Sequence, residues 1–193
     1  MSTIDPITQF DGWLSEAIAA EPSNPNAMTL ATVSAKGRPS TRMVLLKGHG
    51  AQGFVFYTNF NSLKGQELLK NPYASLCFHW KSLDRQVRIE GVAEAVSASP
   101  ADAYFASRAR GSQIGAWASE QSQPVESRDV LEARVAALEI KYEGIDIPRP
   151  PHWSGFLVVP DRLEFWNDCR DRLHDRQVFV RDGADWHEER LQP

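Results

Sequence analysis

Cysteine is scarce in this chain of 193 residues, which contains only Cys77 and Cys169. Small secreted domains that cannot build a large core are usually held together by several disulfides. The sequence also opens without the charged and apolar leader of a secretory signal. These absences argue against a secreted, disulfide-stabilised protein, and we expect a protein of the reducing cytoplasm.

Long apolar runs and several familiar motifs are missing too. The longest apolar run, near residues 43–46, is far shorter than the roughly 20 residues of a membrane-spanning helix. There is no glycine-rich dinucleotide fingerprint, no P-loop and no G-x-S-x-G nucleophile elbow, and the histidines show no metal-ligand spacing. We therefore expect no membrane span, no metal ion, and no nicotinamide, ATP-dependent or serine-hydrolase chemistry.

An excess of positive charge is absent as well. The 21 basic and 25 acidic residues give a formal net charge of −4, so no overall field draws this protein to nucleic acid or to an anionic membrane. An anionic ligand would have to be captured by a local group of cations. The length and the 42% of hydrophobic residues suit one globular domain over residues 1–193.

The first half of the chain predicts a helix followed by strands. Asp5-Pro6 has the form of an N-cap with a first-turn proline, and apolar residues between Phe10 and Ile18 recur at helical spacing. Strand-like runs follow, and glycine-containing turns between the first three suggest an antiparallel meander. The predicted strands are residues 27–33, 41–47, 54–58, 74–80 and 86–96, with a short helix capped by Ser62 after the third.

The second half predicts helices and then strands that return to the same sheet. Ser99-Pro100 has the form of another N-cap and first-turn proline, and Ser127 begins what we expect to be the longest helix. A further short helix is predicted at 114–118, and strands at 155–159, 162–166, 177–181 and 186–191. Because strands outnumber and precede the helices without regular alternation, we predict a mainly β, antiparallel barrel or sandwich with peripheral helices.

Two regions of the first half combine cations with hydrogen-bonding groups. Arg42 and Lys47 flank an apolar run, although charged ends are also common on an ordinary core strand. The stretch from Tyr57 to Lys64 brings hydroxyls, a lysine and a helix N-terminus to one turn. Such a turn suits phosphate, but an ordinary strand-to-helix connection has the same pattern.

A third region follows at the predicted helix near residue 100. Tyr104 and Arg108 are four residues apart and would share one helical face, with Arg110, Ser112 and Gln113 close by. A guanidinium, a phenol and a hydroxyl can hold a monophosphate, because the forked donors of arginine match phosphate oxygens. A solvated basic helix end remains the alternative.

The fourth region lies near the C-terminus. If the run from Arg172 to Arg176 is extended, alternation places Arg172, His174 and Arg176 on one face. A charged turn is the alternative interpretation. We favour a functional role, because three cationic or titratable groups on one side would repel one another without an anion.

Several segments, in order along the chain, resemble the signature sequences of pyridoxine/pyridoxamine 5'-phosphate oxidases. The C-terminal signature comprises residues 164–166 (Glu-Phe-Trp) and 172–176 (Arg-Leu-His-Asp-Arg). The other matching segments are residues 42–47, 56–59, 85–87, 112–117 and 121–122. The matches extend from about Ala27 to Pro193 and so cover nearly the whole chain.

The resemblance implies an FMN-binding split β-barrel that is a homodimer, with residues of both subunits closing each FMN cleft. It implies that Arg172 and His174 flank the pyridine ring of the substrate as catalytic residues. FMN contacts are implied for Arg42, Met43, Val44, Leu45, Leu46, Lys47, Tyr57, Thr58, Lys64, Gln86, Gln121, Ser122, Trp166 and Arg176. Contacts to the substrate phosphate are implied for Lys47, Tyr104, Arg108 and Ser112.

The reaction that the resemblance implies is oxidation of pyridoxamine or pyridoxine 5'-phosphate by O2 to pyridoxal 5'-phosphate and hydrogen peroxide, with FMN as the redox group. A related split-barrel oxidase of the phenazine-biosynthesis type would keep the FMN contacts and change the substrate pocket. A non-catalytic FMN or pyridoxal-phosphate carrier would bind without turnover. The implied substrate residues favour the first of these, and neither a nucleic acid nor a membrane is expected as a partner.

The sequence departs from the family pattern at three places. Leu63 stands where many members carry an arginine beside the lysine, which removes one cation from the implied FMN site. Asp168-Cys169 replaces a small glycine pair often found after Glu-Phe-Trp, in the turn that presents Arg172. The chain also starts a few residues before its first helix, so we do not expect the N-terminal segment that folds over the substrate in longer members.

Overall fold

The computed structural model describes residues 5–193, which form a nine-stranded antiparallel sheet with five helices around it. The strands are β1 (Ala27–Val33), β2 (Pro39–Leu45), β3 (Gly48–Gly50), β4 (Gly53–Asn59), β5 (Tyr73–Trp80), β6 (Arg85–Ala95), β7 (Trp153–Asn167), β8 (Asp175–Asp182) and β9 (Asp185–Arg190). The helices are α1 (Pro6–Ala20), α2 (Leu63–Lys70), α3 (Ala98–Ser107), α4 (Arg110–Ala118) and α5 (Arg128–Lys141). The predicted mainly β fold with peripheral helices is confirmed.

The sheet is open, with the strand order β2-β1-β5-β6-β7-β4-β3, and β8 and β9 extend from β7 as a hairpin. The predicted three-stranded meander is wrong, because β4 pairs with β7 and not with β2. The two predicted strands at 155–159 and 162–166 are one strand, β7. Pro160 lies opposite Gly91, where the register of β6 shifts, so a bulge accommodates the proline that lacks an N–H.

The helix starts show which local signals were reliable. Asp5 accepts a hydrogen bond from the Thr8 N–H at 2.9 Å and caps α1, as predicted. The predicted cap at Ser99 is wrong, because α3 begins at Ala98, two residues before the predicted first residue Pro100, which is the third residue of the helix. A proline is tolerated there because first-turn N–H groups have no intrahelical partner. At 14 residues, α5 is also not the longest helix, since α1 has 15.

Two apolar clusters position the site. In the main core, Phe10 of α1 makes edge contacts with Phe54 and Phe78 at ring-centroid distances of 5.0 and 5.2 Å, and all three side chains are fully buried. A second cluster joins α3, α4 and α5 to the start of β7 through Phe105, Ile114, Tyr142, Ile147 and Trp153. A cleft forms where the helices of the second cluster meet the sheet.

Three further features of residues 5–193 concern membrane spans, metal sites and disulfides. None of their helices combines the length and apolarity that a bilayer crossing requires. Their His, Cys, Asp and Glu side chains form no group of three or more suited to a metal ion. Cys77 and Cys169 are both free thiols.

Candidate active site

A cleft of about 670 Å³ is lined by the ends of β2 and β4, the start of α2 and the junction of α3 and α4. Trp153, the first residue of β7, completes one side. The predicted site residues that line it are Met43, Val44, Leu45, Lys47, Tyr57, Thr58, Lys64, Tyr104, Arg108, Ser112 and Gln121. The fold therefore brings the first three cation-containing regions of the sequence to one place.

Lys64 is held by a group of oxygen atoms that we call the Lys64 cluster, comprising Thr58, Ser62, Lys64 and Gln121. Its Nζ lies 3.2 Å from the hydroxyls of Thr58 and Ser62 and 3.1 Å from Oε1 of Gln121. Burial, and then the nearby positive charge of Arg42, lower the pKa of Lys64 to about 8. Ser62 also caps α2, so the positive end of the helix dipole lies beside the lysine, an arrangement suited to phosphate.

Lys47, Tyr104, Arg108 and Ser112, with Trp153, form a second group in the cleft, which we call the Arg108 cluster. The Arg108 guanidinium lies 4.8 Å from the centre of the Trp153 ring. Its Nη1 is buried and has no hydrogen-bond partner among residues 5–193. Burial lowers the pKa of Arg108, and Tyr104 partly opposes this effect. Because a buried, unpaired guanidinium N–H is costly, the arrangement indicates an anionic ligand at this point.

An aromatic stack connects the two clusters. The rings of Tyr57, Tyr104 and Trp153 are nearly parallel, with centroid distances of 4.1 Å between Tyr57 and Tyr104, 5.4 Å between Tyr57 and Trp153, and 6.1 Å between Tyr104 and Trp153. Burial, and to a lesser extent Tyr104, raise the pKa of Tyr57. Trp153 was not among the predicted site residues, and its place after a proline-rich connector also suits a core position. The stack gives the cleft a flat apolar wall, which suits an aromatic ligand.

Three predicted cofactor residues, Gln86, Trp166 and Arg176, lie on the face of the sheet that points away from the core, and the predicted catalytic residues Arg172 and His174 lie in the turn between β7 and β8. Gln86 is opposite Trp166 in the β6–β7 register, and Trp166 is opposite Arg176 in the β7–β8 register. The His174 ring lies 4.6 Å from the Trp166 ring. Among the described residues of this one chain, neither these four nor Arg172 lines the cleft.

The condition for placing Arg172, His174 and Arg176 on one face, an extended run from 172 to 176, is not met in its first half. Residues 170–172 form a short 3₁₀ turn in which Asp171 and Arg172 have left-handed φ angles of 59° and 61°. The chain must reverse direction there to pair β8 with β7, and seven residues separate the two strands. Arg172 is thus presented from an exposed turn, and of Arg172, His174 and Arg176 only Arg176 belongs to β8.

Carboxylates of the protein neutralise much of the positive charge in this region. Glu164 is 1% exposed and lies 3.1 Å from both Arg88 and Arg162 and 2.8 Å from Arg176. Burial alone would raise the pKa of Glu164, but the hydrogen bond from Arg176 and the other arginines outweigh it and lower the pKa. The repulsion expected from the sequence is therefore relieved in part within the chain, and Glu164 fixes the Arg176 side chain.

Three further predicted cofactor residues, Arg42, Leu46 and Ser122, also lie outside the cleft lining. The Arg42 guanidinium donates to the Ser40 hydroxyl at 2.6 Å and lies 3.4 Å from the Glu67 carboxylate. The Leu46 side chain is buried in the main core, and its N–H and carbonyl oxygen are hydrogen-bonded to Asn26. Ser122 is exposed next to Gln121 and has a left-handed φ of 70°.

Solved structures with the same architecture define the class of this fold. PhzG from Burkholderia lata, in complex with tetrahydrophenazine-1-carboxylic acid, is 34% identical, superposes with a TM-score of 0.93, and the match covers 100% of this chain and 94% of PhzG. A pyridoxamine 5'-phosphate oxidase-related, FMN-binding protein from Nostoc punctiforme is 17% identical and has a TM-score of 0.79, with 99% and 100% of the two chains covered. The fold is that of the FMN-binding split barrels.

Sequence comparisons identify the family. The family model of pyridoxamine 5'-phosphate oxidase matches residues 14–142, and that of the pyridoxine 5'-phosphate oxidase C-terminal dimerisation region matches residues 153–193. Pyridoxine/pyridoxamine 5'-phosphate oxidases from Zymomonas mobilis and Rhodospirillum rubrum are 58% and 59% identical, over 99% and 98% of this chain and 100% and 96% of the relatives. The chain belongs to the pyridoxamine 5'-phosphate oxidase family.

Proposed function

We propose that this protein uses FMN and O2 to oxidise pyridoxamine 5'-phosphate or pyridoxine 5'-phosphate to pyridoxal 5'-phosphate, with release of hydrogen peroxide. The observation that carries the proposal is the buried, unpaired Nη1 of Arg108 in the same cleft as the Lys64 cluster. Two separate anion sites beside an aromatic wall match two phosphorylated aromatic ligands. Relatives named for this activity are 57–59% identical, whereas the phenazine-related structure is 34% identical.

The residues of the cleft fit FMN and substrate as separate ligands. Lys64 and the hydroxyl of Thr58 would hold the FMN phosphate, and residues 43–45 would lie along the flavin ring, since all of these line the cleft. Arg108, Lys47, Tyr104 and Ser112 would hold the substrate phosphate. When bound, FMN supplies the two-electron oxidation of the substrate C4' carbon and passes the electrons to O2.

A second copy of the chain would complete the site. Trp166, Arg172, His174 and Arg176 do not line the cleft formed by residues 5–193 of the same chain. All four lie in the segment matched by the family's C-terminal dimerisation region. We propose a homodimer in which these residues close the partner's cleft. Because strands and helices line the cleft together, we also propose that each chain folds as a single domain over residues 1–193.

In the completed site, the catalytic residues would be Arg172 and His174 of the turn between β7 and β8. Arg172 would orient the substrate ring through its fixed positive charge. His174 would accept a proton from the substrate, or return one to it, at a nitrogen of its imidazole ring. A well-positioned acid or base typically contributes about 10²–10⁴-fold to the rate. The protein would also increase the rate by holding the C4' carbon of the substrate in the reactive geometry.

Oxygen consumption with three substrates separates the proposed activity from its alternatives. We expect steady consumption with pyridoxamine and pyridoxine 5'-phosphate and little with tetrahydrophenazine-1-carboxylic acid. Bound flavin without consumption of oxygen on any of them would identify a carrier. Faster turnover of the phenazine compound than of either B6 phosphate would contradict the proposed substrate class.

The affinity for FMN should decrease as the pH rises through the Lys64 pKa of about 8. Lys64 is charged below this pKa and neutral above it, so the phosphate loses a cation at alkaline pH. We expect the FMN dissociation constant, measured by fluorescence quenching, to be roughly tenfold higher near pH 9 than near pH 7. Lys64→Arg is the matched control, because arginine stays charged throughout. An equally steep profile in Lys64→Arg would refute this role.

A further inference from the structure

In the turn between β7 and β8, Asp168 Oδ1 lies 2.8 Å from Nδ1 of His174. The backbone N–H of Cys169 lies 3.3 Å from the same nitrogen. Asp168 is itself anchored, because its N–H donates to the carbonyl oxygen of Asp84 at 3.0 Å.

The two contacts at Nδ1 require different protonation states. If Nδ1 accepted the hydrogen bond from Cys169, its lone pair would face a carboxylate oxygen at 2.8 Å, which is repulsive. If Nδ1 carries a proton, it donates to Asp168 in a charge-assisted bond of ordinary length, and the longer contact to Cys169 is given up. The distances therefore favour a proton on Nδ1, which leaves Nε2 as the basic nitrogen of the ring.

We propose that Asp168 is a positioning residue that holds His174 in the Nδ1–H tautomer, so that Nε2 is the nitrogen that exchanges a proton with the substrate. The functional part of this inference rests on the proposed oxidase activity. The Trp166 ring lies 4.6 Å from the imidazole ring, tilted by 42°. The hydrogen bond of one ring nitrogen sets the chemistry of the other.

The same contact also stabilises the turn that presents Arg172. Asp171 and Arg172 both have left-handed φ angles, which are unfavourable for residues with a side chain. Within the turn, the Leu173 N–H donates to Arg170 O at 3.1 Å. The bond from Asp168 to His174 spans the two left-handed residues, so it links the geometry of Arg172 to that of His174.

Nitrogen-15 NMR of the His174 ring tests the proposal directly. The holoenzyme is labelled with 15N-histidine and studied near pH 8.5, where an ordinary imidazole is neutral, and His174→Gln assigns the signal. We expect the Nδ1–H tautomer in the parent protein and a shift toward Nε2–H in Asp168→Ala. Asp168→Asn keeps a carbonyl acceptor and should give an intermediate result. Asp161→Ala removes the same charge from an exposed position on β7 and should change nothing.

Steady-state kinetics supply the second readout. Because the Asp168 side chain is 49% exposed, the pair is worth at most about fivefold in an equilibrium constant. We expect kcat to fall by about that factor in Asp168→Ala, with little change in KM. A tautomer that is Nε2–H in the parent, or that is unchanged in Asp168→Ala, would overturn the proposal whatever the activity. A shifted tautomer with unchanged kcat would overturn the catalytic part alone. If the protein proves not to be an oxidase, the NMR result still decides the tautomer.

Discussion

Replacement of Arg172 by alanine should lower kcat for pyridoxamine 5'-phosphate by about 10²–10³-fold, the usual effect of removing one preorganised charged donor from a reacting centre. FMN binding should remain normal, because the Lys64 cluster that would hold the FMN phosphate lies in a different part of the chain. Arg172 is exposed in the turn between β7 and β8, so the substitution removes little packing. We therefore expect a variant that turns over slowly and still binds flavin normally. Peroxide release measures the turnover, and the flavin absorbance of the purified variant measures the bound FMN.

Arg170→Ala is the matched control for this variant. Arg170 lies two residues earlier in the same turn and is also exposed, so its replacement removes the same charge without removing the proposed substrate contact. We expect its kcat to stay close to that of the parent protein. Loss of flavin from Arg172→Ala, or an equal loss of activity in both variants, would show that Arg172 does not act on the substrate.

Arg108→Ala should reduce kcat/KM for pyridoxamine 5'-phosphate by roughly 100-fold, since hydrogen bonds to a charged group contribute about 1.5–3 kcal/mol. The loss should be specific to the phosphate, so the slow oxidation of unphosphorylated pyridoxamine should be nearly unchanged. Arg108→Lys keeps the charge but loses the forked donors, and we expect an intermediate effect. The comparison of the two substrates is the measurement that isolates the phosphate contact.

The stability of Arg108→Ala provides the internal control. In the free protein, Nη1 of Arg108 is buried without a partner among residues 5–193, so its removal relieves a desolvation cost. We expect the midpoint of thermal unfolding to be unchanged or slightly higher. An equal loss of kcat/KM on both substrates, or a large drop in the unfolding midpoint, would contradict the assignment of Arg108 to the substrate phosphate.

Local signals in the sequence predicted local structure well. The helix caps at Asp5 and Ser62 could be predicted from the sequence, because each cap depends on a contact between residues three apart. The cation groups of the cleft could be predicted because their residue types suit phosphate. The fold brings Lys47, Lys64 and Arg108 together in one cleft. Their exact contacts stay predictions that the variants above test.

Non-local features could not be predicted. The pairing of β4 with β7 joins segments about 100 residues apart, and no short-range pattern specifies it. The left-handed turn at Arg172 results from the reversal between β7 and β8, which an alternating pattern of charges does not reveal. Glu164 illustrates a third case, since its ion pairs with three arginines depend on the register of three strands.

The most direct test is an absorbance spectrum of the purified protein with added FMN, followed by pyridoxamine 5'-phosphate under air while hydrogen peroxide is monitored. We predict protein-bound flavin bands, peroxide release that depends on the substrate, and a growing absorbance of pyridoxal 5'-phosphate. Bound flavin that neither releases peroxide nor forms pyridoxal 5'-phosphate would contradict the proposed oxidase activity. Failure to bind FMN at all would contradict the assignment of the cleft as an FMN site. The missing cation at Leu63, at the start of α2, would then be the first residue to examine.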